Sequence, residues 1–158
     1  MSQNAVLYDE DFFAWTIEQA QLLRAGEWSA IDVANLAEEI ESLGRRDRRE
    51  LESRMTVLLM HLLKWLKLPG LRSRNWSGTI DEQRRRIAKL LRDSPNLRPF
   101  IGDALVEIYD DARESAIAET GLAEGEFPAL CPFTVDEILS PSFLPGPYGR
   151  SNPPDAAG

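Results

Sequence analysis

The stretch from Asp32 to Leu68, DVANLAEEIESLGRRDRRELESRMTVLLMHLLKWLKL, limits the possible folds more than any other part of the chain. Val33, Ala37, Ile40, Leu51, Met55, Leu58, Leu62 and Trp65 or Leu66 recur at three- and four-residue steps, which places them on one face of a helix. Glu41 precedes Arg45 by four residues and Glu50 precedes Arg54 by four, the acid-first order that supports a helix. The apolar stripe lapses between Ile40 and Leu51. Gly44 falls in that lapse and costs about 1 kcal/mol against alanine in a helix interior. The stretch therefore reads as one long helix, or as two joined at Gly44. From Leu58 to Leu68 nearly every residue is apolar, so that end is expected to be surrounded on most sides.

The other segments agree with an all-helical architecture. Asp9 reads as the cap of a first helix over about 10–25, with Phe13, Ile17 and Ala20 on its inner side, Phe12, Trp15 and Leu22 widening it, and Gly26 closing it. Ser29, three residues before Asp32, resembles a start signal for the long helix. Pro69-Gly70 stops that helix, and LRSRNWSG reads as a loop. Thr79 and Glu82 form a capping box for a helix with Ile80, Ile87, Leu90 and Leu91 inside and Arg85 and Lys89 outside. Ser94-Pro95 marks the next start, a helix from about 97 to 120 with Asp103, Glu107, Asp110 and Glu114 on its outer side and Gly121 at its end. Beyond it, Thr134 and Glu137 cap one short turn within an apolar, proline-rich arm. The expected fold is all-α: a single-domain, mainly antiparallel bundle of four to five helices over 1–145 with an extended C-terminal arm, followed by a flexible tail at 146–158.

At 158 residues and 43% hydrophobic content the chain is long enough for a true core. The leucine-rich run from Met55 to Leu68 contains His61, Lys64 and Lys67 and is too short and too charged to span a bilayer. No secretory leader is visible, and one cysteine agrees with a reducing compartment, so a cytoplasmic protein without membrane association is expected. Net charge is −8, unevenly spread: residues 45–92 hold 14 of the 18 Lys and Arg and only five acids, leaving that region at +9 and the rest at −17. An acidic protein is repelled at long range by a polyanion. The asymmetry is expected to be neutralised internally, by acidic flanks folding onto a basic middle.

Six stretches, YDEDFFAWTIEQAQLLRAGE, NLAEEIESLGRRDRRELESR, HLLKWL, IDEQRRRIAKLL, DSPNL and FPALCPFTVDEIL, occur in this order over roughly residues 7–145. Together they resemble the bacterial family called domain of unknown function 29. The resemblance implies a helical bundle. It implies no mechanism, because the family has no agreed activity.

Four constellations are candidates for function. Glu38, Glu39 and Glu41 suggest a bundle metal site, but the sole histidine, His61, lies 20 residues beyond Glu41, about 30 Å along a continuous helix. Surface ion pairs such as Glu41 with Arg45 account for them better, and no metal or cofactor is expected. His61 with Cys131, the sole thiol, would make a base and nucleophile, although nothing beside Cys131 lowers a thiol pKa. Arg72, Arg74, Arg85, Trp65 and Trp76 could grip phosphates and stack a base, making nucleic acid the alternative partner. Trp15, Trp28, Trp65 and Trp76 could line a groove for a partner's helix. The leading expectation is a non-catalytic interaction or structural protein that binds a protein partner or associates with itself.

Overall fold

The computed structural model describes residues 3–146, 149 and 150, with side chains for residues 6–146. Six helices carry the fold: α1 Gln3–Glu10, α2 Phe12–Ala25, α3 Val33–Lys67, α4 Arg74–Asp93, α5 Arg98–Thr120 and α6 Val135–Leu139. The only strand pairing among the described residues is two residues long, Pro145–Gly146 against Gly149–Arg150. Apart from these, the expected tail at 146–158 lies outside the described residues. No described helix is long and apolar enough to cross a membrane. The chain gathers into two compact units, Met1–Arg46 and Asp47–Gly158.

In the first unit, the expected single helix over 10–25 is two helices, and the cap is Asp11 rather than Asp9. Asp11 lies outside the helix at φ −147° and ψ 84°, and its Oδ1 accepts from the Ala14 amide at 2.9 Å. Gly26 closes α2 as expected, at φ 72°, where only glycine avoids a Cβ clash. The start of α3 is set by Asp32, not Ser29: Asp32 Oδ1 accepts from the Asn35 amide, while Trp28–Ala30 forms a 3-10 turn. Asp32 also ties the unit together. Its Oδ2 accepts from Trp15 Nε1 at 3.1 Å, and its own amide donates to Gln19 Oε1 at 2.8 Å. Partial burial works to raise the Asp32 carboxyl pKa, but the bonds from Asn35 and Trp15 outweigh it and hold it below the usual range. Trp15 and Gln19 are the buried residues of α2, and the side expected to face inward is open, with Phe13 74% exposed.

α3 is unbroken through Gly44. In the second unit its buried face follows the expected stripe, with Leu51, Met55, Leu58 and Leu62 all at 0% exposure, and Leu59, Met60 and Leu63 widening it as the apolar run requires. The same core takes Ile80 and Ile87 from α4, Ile101, Ile108 and Tyr109 from α5, and Phe127, Phe133 and Ile138 from the arm. α4 begins earlier than expected: Ser73 Oγ accepts from the Trp76 amide, so the segment read as a loop forms the first turn of the helix and Thr79 lies inside it. A 3-10 turn, Pro95–Leu97, separates Ser94 from α5, so Ser94 does not cap that helix. Gly121 ends α5 at φ 69°. The Thr134–Glu137 capping box on α6 forms with both reciprocal bonds. The arm is also tied to α5, where the Tyr109 hydroxyl donates to the Pro128 carbonyl at 2.6 Å and Arg113 donates to that of Phe127.

Candidate functional site

Nine of the twelve exposed large apolar side chains among the described residues lie in the first unit. On α3, Val33, Ile40 and Leu43 are exposed, although Val33 and Ile40 belong to the stripe expected to be buried. Phe12, Phe13, Ile17 and Leu23 on α2 and Trp28 in the connecting turn are exposed as well. Of these, Phe12, Leu23, Ile40 and Leu43 line a groove of about 380 Å³ between α2 and α3, together with Trp15, Leu36, Glu39 and Arg46. Gln19 also lines it. The Gln19 side chain is buried, its oxygen is taken by the Asp32 amide, and its Nε2 has no partner among the described residues. Glu39 is held by the Tyr8 hydroxyl, and that bond pushes the Tyr8 pKa up to about 12.

The residues singled out by sequence are scattered by comparison. Glu38 and Glu41 are both exposed and both turn to Arg45, at 2.7 and 3.7 Å, which is the ion-pair arrangement expected. Among the described residues no group of three or more His, Cys, Asp or Glu is placed to hold an ion. His61 is half-buried on α3, with Nδ1–H donating to the Val57 carbonyl at 2.9 Å. Burial lowers its pKa below 6.5, the backbone bond opposing this only in part. Cys131 lies elsewhere, its thiol donating to the Phe133 carbonyl, and burial raises its pKa. Neither residue is among the other's interacting groups, and the thiol is not activated.

Several of the aromatic and basic residues pair with each other. Arg72 lies over Trp65, 5.1 Å from the ring, and donates to its carbonyl. Lys64 Nζ lies 4.6 Å over Trp76 and 2.7 Å from Glu119 on α5. Arg74 and Arg85 are exposed on α4. Of the arginine run on α3, Arg48 covers the Phe100 ring at 3.9 Å. Much of the neutralisation expected from distant acidic flanks is local: Arg54 pairs with Glu50, Arg86 with Glu82 and Lys89 with Asp93, each four residues apart. Lys64 with Glu119 reaches from the basic middle to a distant acidic flank.

Sequence reading missed Gln19, Asp32 and Arg84. Arg84, the first of three consecutive arginines in the sequence, is 5% exposed, with Nε donating to the Ile138 carbonyl at 2.8 Å. The signal was available. Arg84 stands four after Ile80 and three before Ile87, and Gln19 stands four after Trp15, so each interrupts an apolar stripe at a stripe position.

The family model described as Domain of unknown function DUF29 matches residues 7–144. The chain belongs to this family. No curated protein and no solved structure matches it. The DUF29 match takes in both units: the groove between α2 and α3, the core under α4 and α5, and the arm as far as Leu144.

Proposed function

We propose that this DUF29 protein is a non-catalytic, cytoplasmic interaction module whose first unit takes up an amphipathic helix of another protein. The observation that carries the reading is the exposed apolar set on α2 and α3 around the groove, with Ile40 66% exposed at its edge. Contiguous apolar surface of this kind marks interaction sites in soluble proteins. Two helices with an unfilled apolar cleft accept a third helix through anchors at three- and four-residue spacing. Residues 1–46 carry nine acids against three arginines, so the helix they attract is basic on its flanks. The unpartnered Gln19 Nε2 favours an occupant that brings a carbonyl or carboxylate to the cleft.

A photo-crosslinking amino acid placed at Ile40 in the full chain, inside the native host, tests this. The expected adduct is one defined protein joined through a basic amphipathic helix, absent when the same group is placed at Arg85. Ile40→Asp should abolish binding of that protein to purified chain. Adducts made only of second copies of this chain, or none at all, overturn the reading.

A further inference from the structure

Arg84 forms no ion pair among the described residues. Its Nε and Nη2 donate to the carbonyls of Ile138 and Glu137, 2.8 and 3.4 Å away, which are dipoles rather than ions. Its Nη1 is enclosed and has no partner among the described residues. Burial brings its pKa down to about 10, with Asp81, an exposed carboxylate, opposing this only in part. Buried cations are ordinarily paired with an acid, because an uncompensated charge out of water is costly.

Arg84 lies in the wall of a cavity of about 380 Å³. Arg92 and Arg98 also line it, the remainder of the lining is apolar (Ile87, Leu91 and Leu139 among others), and no carboxylate takes part. Arg98 does have an acid nearby, Asp136, 3.0 Å from its Nη2, but that pair is exposed and weakly held. A lining shared by the exposed Arg92 and Arg98, the buried Arg84 and apolar side chains suits a ligand with one charged end. We propose that this cavity binds a small amphiphilic anion, whose carboxylate or phosphate head bonds to Arg92 and Arg98 within the field of Arg84 and whose apolar body lies on Ile87, Leu91 and Leu139. The cavity is large enough for such a molecule, since small-ligand sites begin at roughly 300 Å³. Guanidinium groups suit either head, because both offer two oxygens to a planar donor fork.

Calorimetric titration of the full chain with octanoate, octyl phosphate, octanol and inorganic phosphate tests the proposal. Octanoate or octyl phosphate should bind at one site at least tenfold tighter than octanol, and the tighter of the two identifies the head group. Arg92→Gln and Arg98→Gln, both at exposed positions, should each weaken that binding at least fivefold, while Arg74→Gln leaves it unchanged. Equal affinity for octanol would make the cavity a plain apolar slot and overturn the proposal. So would inorganic phosphate binding as tightly as octyl phosphate, unaltered affinity in the arginine variants, or no saturable binding by either amphiphile.

Discussion

Glu119→Gln should destabilise the protein more than Lys64→Met, although both delete the same ion pair. The reason lies in where each partner sits. The Lys64 side chain is 11% exposed and that of Glu119 is 49% exposed, with 2.7 Å between Nζ and Oε2. At that separation Coulomb's law gives about 1.5 kcal/mol in bulk water and about 6 kcal/mol at an effective dielectric near 20. Solvent reaching Glu119 screens the pair toward the lower figure, and ordering two long side chains takes part of what is left. Glu119→Gln leaves the ammonium buried with Trp76 as its remaining partner, and should cost about 1–2 kcal/mol. Lys64→Met removes the charge together with its desolvation, keeps an apolar stem of similar length in the core, and returns Glu119 to water. The lost cation–π contact, about 0.5–1 kcal/mol, roughly offsets the relief.

Scanning calorimetry at pH 7 and low salt reads the difference. For a chain of this length about 1 kcal/mol moves Tm by roughly 2–4 °C, so Glu119→Gln should melt about 2–8 °C early and Lys64→Met within about 2 °C of the parent. The double variant should resemble Lys64→Met alone, because once the cation is gone the acid has nothing to stabilise. Lys64→Met costing as much as Glu119→Gln, or strictly additive losses, would refute the reasoning.

Gly44→Ala tests the unbroken α3: a Cβ there meets nothing within 4 Å, so the change should stabilise by up to about 1 kcal/mol and slow amide exchange at 41–48 roughly fivefold, as read by NMR. Faster exchange would reveal a break. His61 has a lowered pKa when folded, so the unfolded chain takes up its proton first. The stability it contributes is complete above pH 6.5 and is lost as pH falls through the folded value. Melting points between pH 7.5 and 5 should therefore fall more steeply for the parent than for His61→Gln. Leu58→Ala, at a position with 0% exposure, should cost about 2–5 kcal/mol in urea unfolding; a loss below about 1 kcal/mol would mean that the core around α3 is loosely packed.

Much of the second unit was legible because its signals are local and agree with one another. The Leu51–Met55–Leu58–Leu62 stripe, the Thr134–Glu137 box and the glycine after α5 each follow from spacing and backbone chemistry within a few residues. Caps misplaced by sequence, Asp9 for Asp11 and Thr79 for Ser73, are choices between neighbours of the same chemical kind. One cap contributes only about 1 kcal/mol, so packing elsewhere decides between them. Arg84 illustrates a second kind of limit. Its stripe position can be read between Ile80 and Ile87, but the carbonyls that receive it lie 53 and 54 residues on, where no local pattern points.

The first unit sets a limit of principle. Ile40 and Leu51 stand on one unbroken helix and were assigned to one stripe by the same spacing, yet Ile40 is 66% exposed and Leu51 0%. Period reports that a face is apolar; it carries no information about what covers that face. Leu51 is covered by this chain's own helices. Ile40, Leu43 and Phe12 have no such cover within the first unit's described residues, and apolar surface left in water is unfavourable by about 25 cal/mol per Å². That cost is what a partner helix entering the groove would recover.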